Sequence, residues 1–354
     1  MRELWQRSVF SATLCTLLLS CGSQDIIHFG KGRDINAPEP QQRVGGLRAE
    51  ANVYPEAKEF NFTSMGTAKV YERHPEGELE TVSFPVDASG FLSNDFFTTE
   101  PQSDDRAFSD DLRFNYDVED PRFEEVSLFA NLNKLRNWYR GLGIEPVSVQ
   151  IPVRVGGDIM GNINNAMYTP ASDKSGPSLT IAKGDGYVLQ NLTIDADVIS
   201  HELAHHVIYH SIQATSGDAL ILHEGLADFF TMLRNKDACL GRSICPASSP
   251  ICEIRAQCLR SAENQFSFAE DMARFDVILG TQVFSGFLWD FYQVLGSGSE
   301  KKLGVLLIRA LEKVQNAPSI EDFVTALILA DEEQNDGKNS SVIAELAKKR
   351  GVQL

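Results

Sequence analysis

Apolar positions change their period part-way along the chain. Between residues 51 and 120 they fall in short runs, such as Ala68-Lys69-Val70-Tyr71 and Thr81-Val82-Ser83-Phe84, separated by Gly, Pro and Asn; this predicts β-hairpins. From Phe123 to Leu142 the spacing becomes helical. Val126, Leu128, Phe129, Leu132, Leu135 and Trp138-Tyr139 share a stripe that Gly141 and Gly143 end. Pro146 to Val155 alternates like a strand, and residues 179–182 predict another. Asp197 to Tyr209 returns to helical spacing, with apolar residues at 198, 199, 203, 207 and 208. Beyond residue 263 four helical stretches follow, about 281–295, 301–315, 319–333 and 340–350, and Ser319 with Asp322 three residues on marks a helix start. A β-rich half before a helical half predicts an α+β chain of two lobes with a cleft between them.

The N-terminus changes the picture from a plain globule to an exported one. Arg2 and Arg7 precede an apolar run from Val9 to Leu19, too short to span a bilayer and right for a signal segment. The run ends in Leu18-Leu19-Ser20-Cys21, which resembles the lipobox of bacterial lipoproteins. That resemblance implies cleavage after residue 20 and acylation of Cys21, tethering the chain to a membrane; the alternative is an ordinary signal peptide with an incidental cysteine. Gly22 in place of Asp favours the outer membrane over the inner in a Gram-negative envelope. Residues 21–50 are rich in Gly, Pro and charge, a composition suited to a flexible tether.

The formal net charge of −17 argues against nucleic acid as a partner. Acidic residues concentrate between Asp95 and Glu125 and read as a solvated loop. Of six cysteines, Cys239, Cys245, Cys252 and Cys258 cluster in the second half. No C-x-x-C pair occurs, so two disulfides in an exported chain are favoured over a zinc knuckle; three connectivities remain open.

The chemistry concentrates at His201-Glu202-Leu203-Ala204-His205, followed by His223-Glu224-Gly225-Leu226-Ala227-Asp228. Histidines four apart on a helix project the same way, so both imidazoles can reach one metal ion, with the adjacent glutamate left beside the metal's water. Hydrolytic zinc usually takes three protein ligands, and Glu224 is the natural third. Asp228, one turn further on, suits the carboxylate that fixes a ligand histidine's tautomer. With 7 histidines in the chain, a bare H-E-x-x-H arises by accident in roughly one chain per hundred. His206 and His210 on the same helix keep the bland reading, an amphipathic surface helix, in view.

These residues resemble the thermolysin-like gluzincin metallopeptidases, whose hallmark is H-E-x-x-H followed by a Glu ligand and an Asp four residues on. The likeness extends upstream, where Asn164-Asn165-Ala166-Met167-Tyr168 precedes Leu179-Thr180-Ile181-Ala182-Lys183-Gly184-Asp185-Gly186. It covers roughly residues 123 to 232. With the signal segment at 1–20, the tether at 21–50 and the β-rich region at 51–120 already read from the residues, the resemblance implies a catalytic N-lobe at 121–215. A helical C-lobe at 216–354 would follow, carrying a disulfide-bearing insert near 239–258. It implies a zinc-dependent endopeptidase acting on peptide or protein substrates. One Zn²⁺ would sit on His201, His205 and Glu224, with Glu202 as general base and Asp228 behind the ligands. Asn165 and Ala166 would hydrogen-bond the substrate backbone as in strand addition. Such enzymes often hold Ca²⁺, but no calcium motif occurs here.

One departure matters. The family steadies the oxyanion with a histidine from the C-terminal lobe, and this chain has no histidine after His223. Arg274 or Tyr292 is the replacement that the sequence offers, without a choice between them. The competing readings are a catalytically degenerate zinc-binding lipoprotein and an aminopeptidase, the latter lacking any Gly-x-Met-x-Asn-like motif.

Overall fold

The computed structural model describes residues 53–354, except 60, 61, 63, 76, 248, 253–256 and 270–272. The expected signal segment, the acylated Cys21 and the tether lie outside the described residues. The hairpin expected near residues 68 and 82 forms between β1 (Met65–Tyr71) and β2 (Leu79–Pro85), antiparallel, with Ala68 and Val70 buried and Lys69 exposed. β4 (Arg113–Phe114) runs parallel on the other edge of β1. This small sheet rests on α1 (Pro121–Gly141), where the Phe84 ring meets Phe129 edge-on at 5.3 Å. Asp120 starts α1 by accepting the Arg122 N–H, and Pro121 occupies the first turn, where its missing N–H costs nothing.

The second sheet has the order β3-β5-β7-β6. β3 (Phe97–Pro101), β5 (Ile151–Val155) and β7 (Ser178–Ile181) are parallel, and β6 (Ala166–Thr169) closes the edge antiparallel to β7. β5 is shorter than the alternation from Pro146 predicts. Residues 148–150 face solvent, and pairing begins only at Ile151, whose N–H reaches Phe96 O. Because β3 comes from the 51–120 region, that region is continuous with the rest. Phe84, Phe97 and Phe114 share one apolar cluster with Phe129, Ile151, Ile199 and Leu203.

The helical part is built from α2 (Ala196–Tyr209), α3 (Gly217–Asn235), α4 (Val277–Leu295), α5 (Glu300–Lys313), α6 (Ile320–Asn335) and α7 (Ser340–Lys349). With α1 these make seven α-helices among the described residues, around a core that includes Phe229, Phe230, Phe284, Phe287, Leu307 and Phe323. Ser319 and Asp322 form a reciprocal capping box at the start of α6. Beyond α7, Arg350 is buried on Asp290, Asn264 and Phe266 O, and Asn264 in turn holds Ser261 O. None of the helices among the described residues is long and apolar enough to cross a membrane.

Two features tie the halves together. Arg73, in the β1–β2 connection, places its guanidinium on both oxygens of Asp197 at 3.0 and 3.1 Å, on Asp237 at 2.8 Å and on Cys239 O at 3.2 Å. The segment between α3 and α4 forms a two-residue ladder, β8 (Cys239–Leu240) against β9 (Arg260–Ser261), stapled by nested disulfides Cys239–Cys258 and Cys245–Cys252. One of the three possible connectivities is thereby selected.

Helices α3 and α4 approach closely because Gly225 has no side chain; a Cβ there would lie 2.7 Å from Phe284 Cδ1 and 3.3 Å from Thr281 O. Gly225→Val is expected to lower unfolding free energy by about 1–3 kcal/mol through overpacking. A denaturant midpoint equal to that of the unaltered chain would remove this account of the α3–α4 contact.

Candidate active site

Asp195 caps α2 by accepting the N–H groups of Asp197 and Val198, which fixes where the helix begins. His201 and His205 then fall one turn apart on the side that faces α3, with their Nε2 atoms 3.0 Å apart. From α3, Glu224 brings Oε2 to 3.4 Å from His201 Nε2 and Oε1 to 3.5 Å from His205 Nε2. A tetrahedral ion with bonds of about 2.0–2.1 Å requires ligand separations of roughly 3.3 Å. The observed triangle fits that requirement, and the donor set of two imidazoles and a carboxylate is one that zinc takes. Two further signs point the same way. Glu224 Oε1 and Glu202 Oε2 are both buried without a hydrogen-bond partner, a costly arrangement for carboxylate oxygens unless a cation or proton meets them.

Behind the ligands lies a second layer. His201 Nδ1 is 2.9 Å from Asp228 Oδ1, which turns Nε2 toward the shared point. Asp228 is clasped by Arg260, whose Nε and Nη2 reach its two oxygens at 2.6 and 2.7 Å. Both residues are buried. Burial opposes charge on His201, but Asp228 and Glu224 outweigh it and hold the imidazole pKa up to about 10. His205 is driven the other way, to about 3, chiefly by burial. Burial pushes Glu202 up to about 8, opposed in part by His201 and reinforced by Glu224. Burial also acts against Glu224, yet His205, His201 and Arg260 keep it below the usual carboxylate range.

These side chains open into a cavity of about 40 Å³, room for a few waters only. Asn165 and Ala166 line it beside His201 and Glu202, at the start of edge strand β6. Asn164 braces that strand by bonding Asp185 and the Leu189 N–H. The opposite wall consists of Leu240, Gly241, Ile244, Leu259 and Arg260 from the disulfide-stapled segment, with Leu189, Leu192 and Val198 completing it. Arg274 and Tyr292, the two residues offered for the oxyanion, are absent from this lining. Arg274 is engaged with Asp218 and Glu321, and Tyr292 donates to Glu300. The cation at the site is Arg260. Sequence reasoning missed it, although a buried Asp228 behind the ligands requires a positive partner.

The neighbouring histidines have other partners: His206 Nδ1 meets Tyr168 OH at 3.0 Å, and His223 Nε2 donates to Ile212 O at 2.7 Å. His74, Asp195 and Asp197 form a second converging group. There Asp197 already accepts Arg73, Asn235 and the Gly241 N–H on its two oxygens, which leaves a metal ion no open lone pair and a guanidinium in its way.

The chain is similar in fold to the precursor of protealysin. That metalloproteinase, from Serratia proteamaculans, aligns with a TM-score of 0.53 at 14% sequence identity, covering 84% of this chain and 90% of that one. The likeness is one of fold. No family model and no curated protein matches the chain.

A metal ion has to displace the proton that Asp228 and Glu224 hold on His201. Zinc affinity is therefore expected to rise about tenfold per pH unit for each proton released, across the range below about 10. Calorimetry in buffers of different ionisation enthalpy measures the release; a heat independent of buffer would contradict it. Asp228→Asn is expected to weaken the metal about ten- to a hundredfold in a chelator competition, and unchanged affinity would deny Asp228 its part.

Proposed function

We propose that this protein is a zinc-dependent endopeptidase. The observation that carries the reading is the ligand triangle of His201, His205 and Glu224 with Glu202 beside it, buried, outside the triangle and with its Oε2 lacking a hydrogen-bond partner. A purely structural zinc site needs no such extra carboxylate. When bound, a zinc ion supplies Lewis acidity for a carbonyl and lowers the pKa of water toward about 7. The chain's own residues do the rest. Glu202 accepts the proton of the attacking water and passes it to the leaving amine. Asn165 and Ala166 hold an extended peptide against the β6 edge. Arg260 lines the cavity while it holds Asp228, and so keeps the carboxylate behind His201 in place. The apolar wall of Leu189, Leu192, Val198, Leu240, Ile244 and Leu259 selects an apolar side chain next to the scissile bond.

The fold similarity to a metalloproteinase precursor supports this reading. The missing histidine after His223 supports a second one, a degenerate protein that keeps the metal and has lost turnover. We also propose that the chain is exported and held on a bacterial membrane, the outer one in a Gram-negative cell, through acylated Cys21.

Glu202→Gln is expected to keep stoichiometric zinc and to cut hydrolysis of an internally quenched peptide by at least about a hundredfold. A chelator should abolish cleavage by the unaltered protein, and zinc should restore it. Metal binding without cleavage of any member of a peptide library selects the degenerate reading; no metal binding at all refutes both. For the tether, radiolabelled fatty acid should enter the unaltered chain and not Cys21→Ser, and label in both would sink the assignment.

A further inference from the structure

His201, one of the three residues of the ligand triangle, is connected to a disulfide through two buried side-chain contacts and a two-residue step along the chain. Cys258 stands two residues before Arg260; Arg260 grips Asp228 at 2.6 and 2.7 Å; Asp228 lies 2.9 Å from His201 Nδ1. The strand that carries Arg260 is only two residues long, and its ladder partner is equally short, with Leu240 opposite Arg260 and Cys239 opposite Ser261. A ladder of that length does not hold itself together in water. Its covalent closure is Cys239–Cys258, which ties Cys239 in β8 to the residue two before Arg260. We propose that this disulfide is a positioning element of the metal site, acting through Arg260 and Asp228 on the orientation of His201, so that metal affinity depends on the oxidation state of the two cysteines. The inference rests on the zinc reading of the site.

The second disulfide provides an internal comparison. Cys245–Cys252 closes a loop with a separation of 7 inside the larger one of 19. It adjoins Ile244, an apolar wall residue, and has no part in the line from Arg260 to His201. Losing it touches side-chain packing in the cavity and leaves the clasp on Asp228 in place. The chemistry of the switch is ordinary exchange. A dithiol donates two electrons to the Cys239–Cys258 bond and becomes a cyclic disulfide, while its two protons end on the two released thiols.

The test compares Cys239→Ser/Cys258→Ser with Cys245→Ser/Cys252→Ser in the full chain. Zinc affinity is measured by chelator competition, and amide exchange is followed at residues 257–261. The outer pair is expected to lose about ten- to a hundredfold in affinity, the range for losing a group that orients a ligand, with faster exchange at Arg260. The inner pair should stay within about twofold. In an Asp228→Asn background, removing the outer pair should add less than about twofold, because the line is already cut. If the outer variant does not fold, the folded Cys245→Ser/Cys252→Ser protein is reduced with a dithiol, freed of it by gel filtration and later reoxidised, so that only the outer bond changes. Affinity should fall and return. Equal losses for the two pairs, or additive losses with Asp228→Asn, overturn the proposal. An unaltered protein that binds no zinc defeats instead the reading on which it rests.

Discussion

Three carboxylates, those of Glu202, Glu224 and Asp228, are packed with the guanidinium of Arg260 in a volume that water barely enters. With neutral imidazoles this leaves two negative charges to be compensated, since three minus one is two. Desolvated charge that is not compensated costs several kcal/mol per ion. The site has two ways to meet that demand: protons, on His201 and Glu202, or one divalent cation at the ligand triangle. The shifted pKa values of the first and the geometry of the second express the same need for charge neutrality. The donor set suits a small dication of tetrahedral habit, because a larger oxygen-loving ion would find too few ligands there.

The architecture that enforces this balance draws on distant parts of the chain. The ligands come from α2 and α3, the clasp on Asp228 from β9, and the wall from the segment between α3 and α4. Arg73 locks the start of α2 to that segment from the β1–β2 connection. Residues before α1 are thus structural partners of the helix that carries His201 and His205, and their strand β3 belongs to the sheet whose edge faces the cavity.

Much of this was legible in the sequence, for identifiable reasons. The helical period exposed α1, α2 and the four later helices, because each buries a continuous stripe. The i, i+4 rule places His201 and His205 on one face of a helix from their spacing alone. What escaped were contacts across long loops. Nothing in the spacing of Arg260 from Asp228 announces a bidentate pair, since they meet only after the disulfide segment folds back. Arg274 and Tyr292 attracted notice by lying where a family residue is expected, and the structure gives both to other carboxylates. The truncation of β5 was equally invisible: alternation describes a strand's faces and says nothing of whether a neighbour is there to pair with it.

The grip of Arg350 on Asn264 reaches the site at one remove. Asn264 steadies Ser261, the neighbour of the arginine that neutralises Asp228. Arg350 also sits on Asp290 of α4, so one side chain beyond α7 couples the helical core to β9. A tilt of that helical layer would be felt at the clasp on Asp228, far from any residue that touches the ligand triangle.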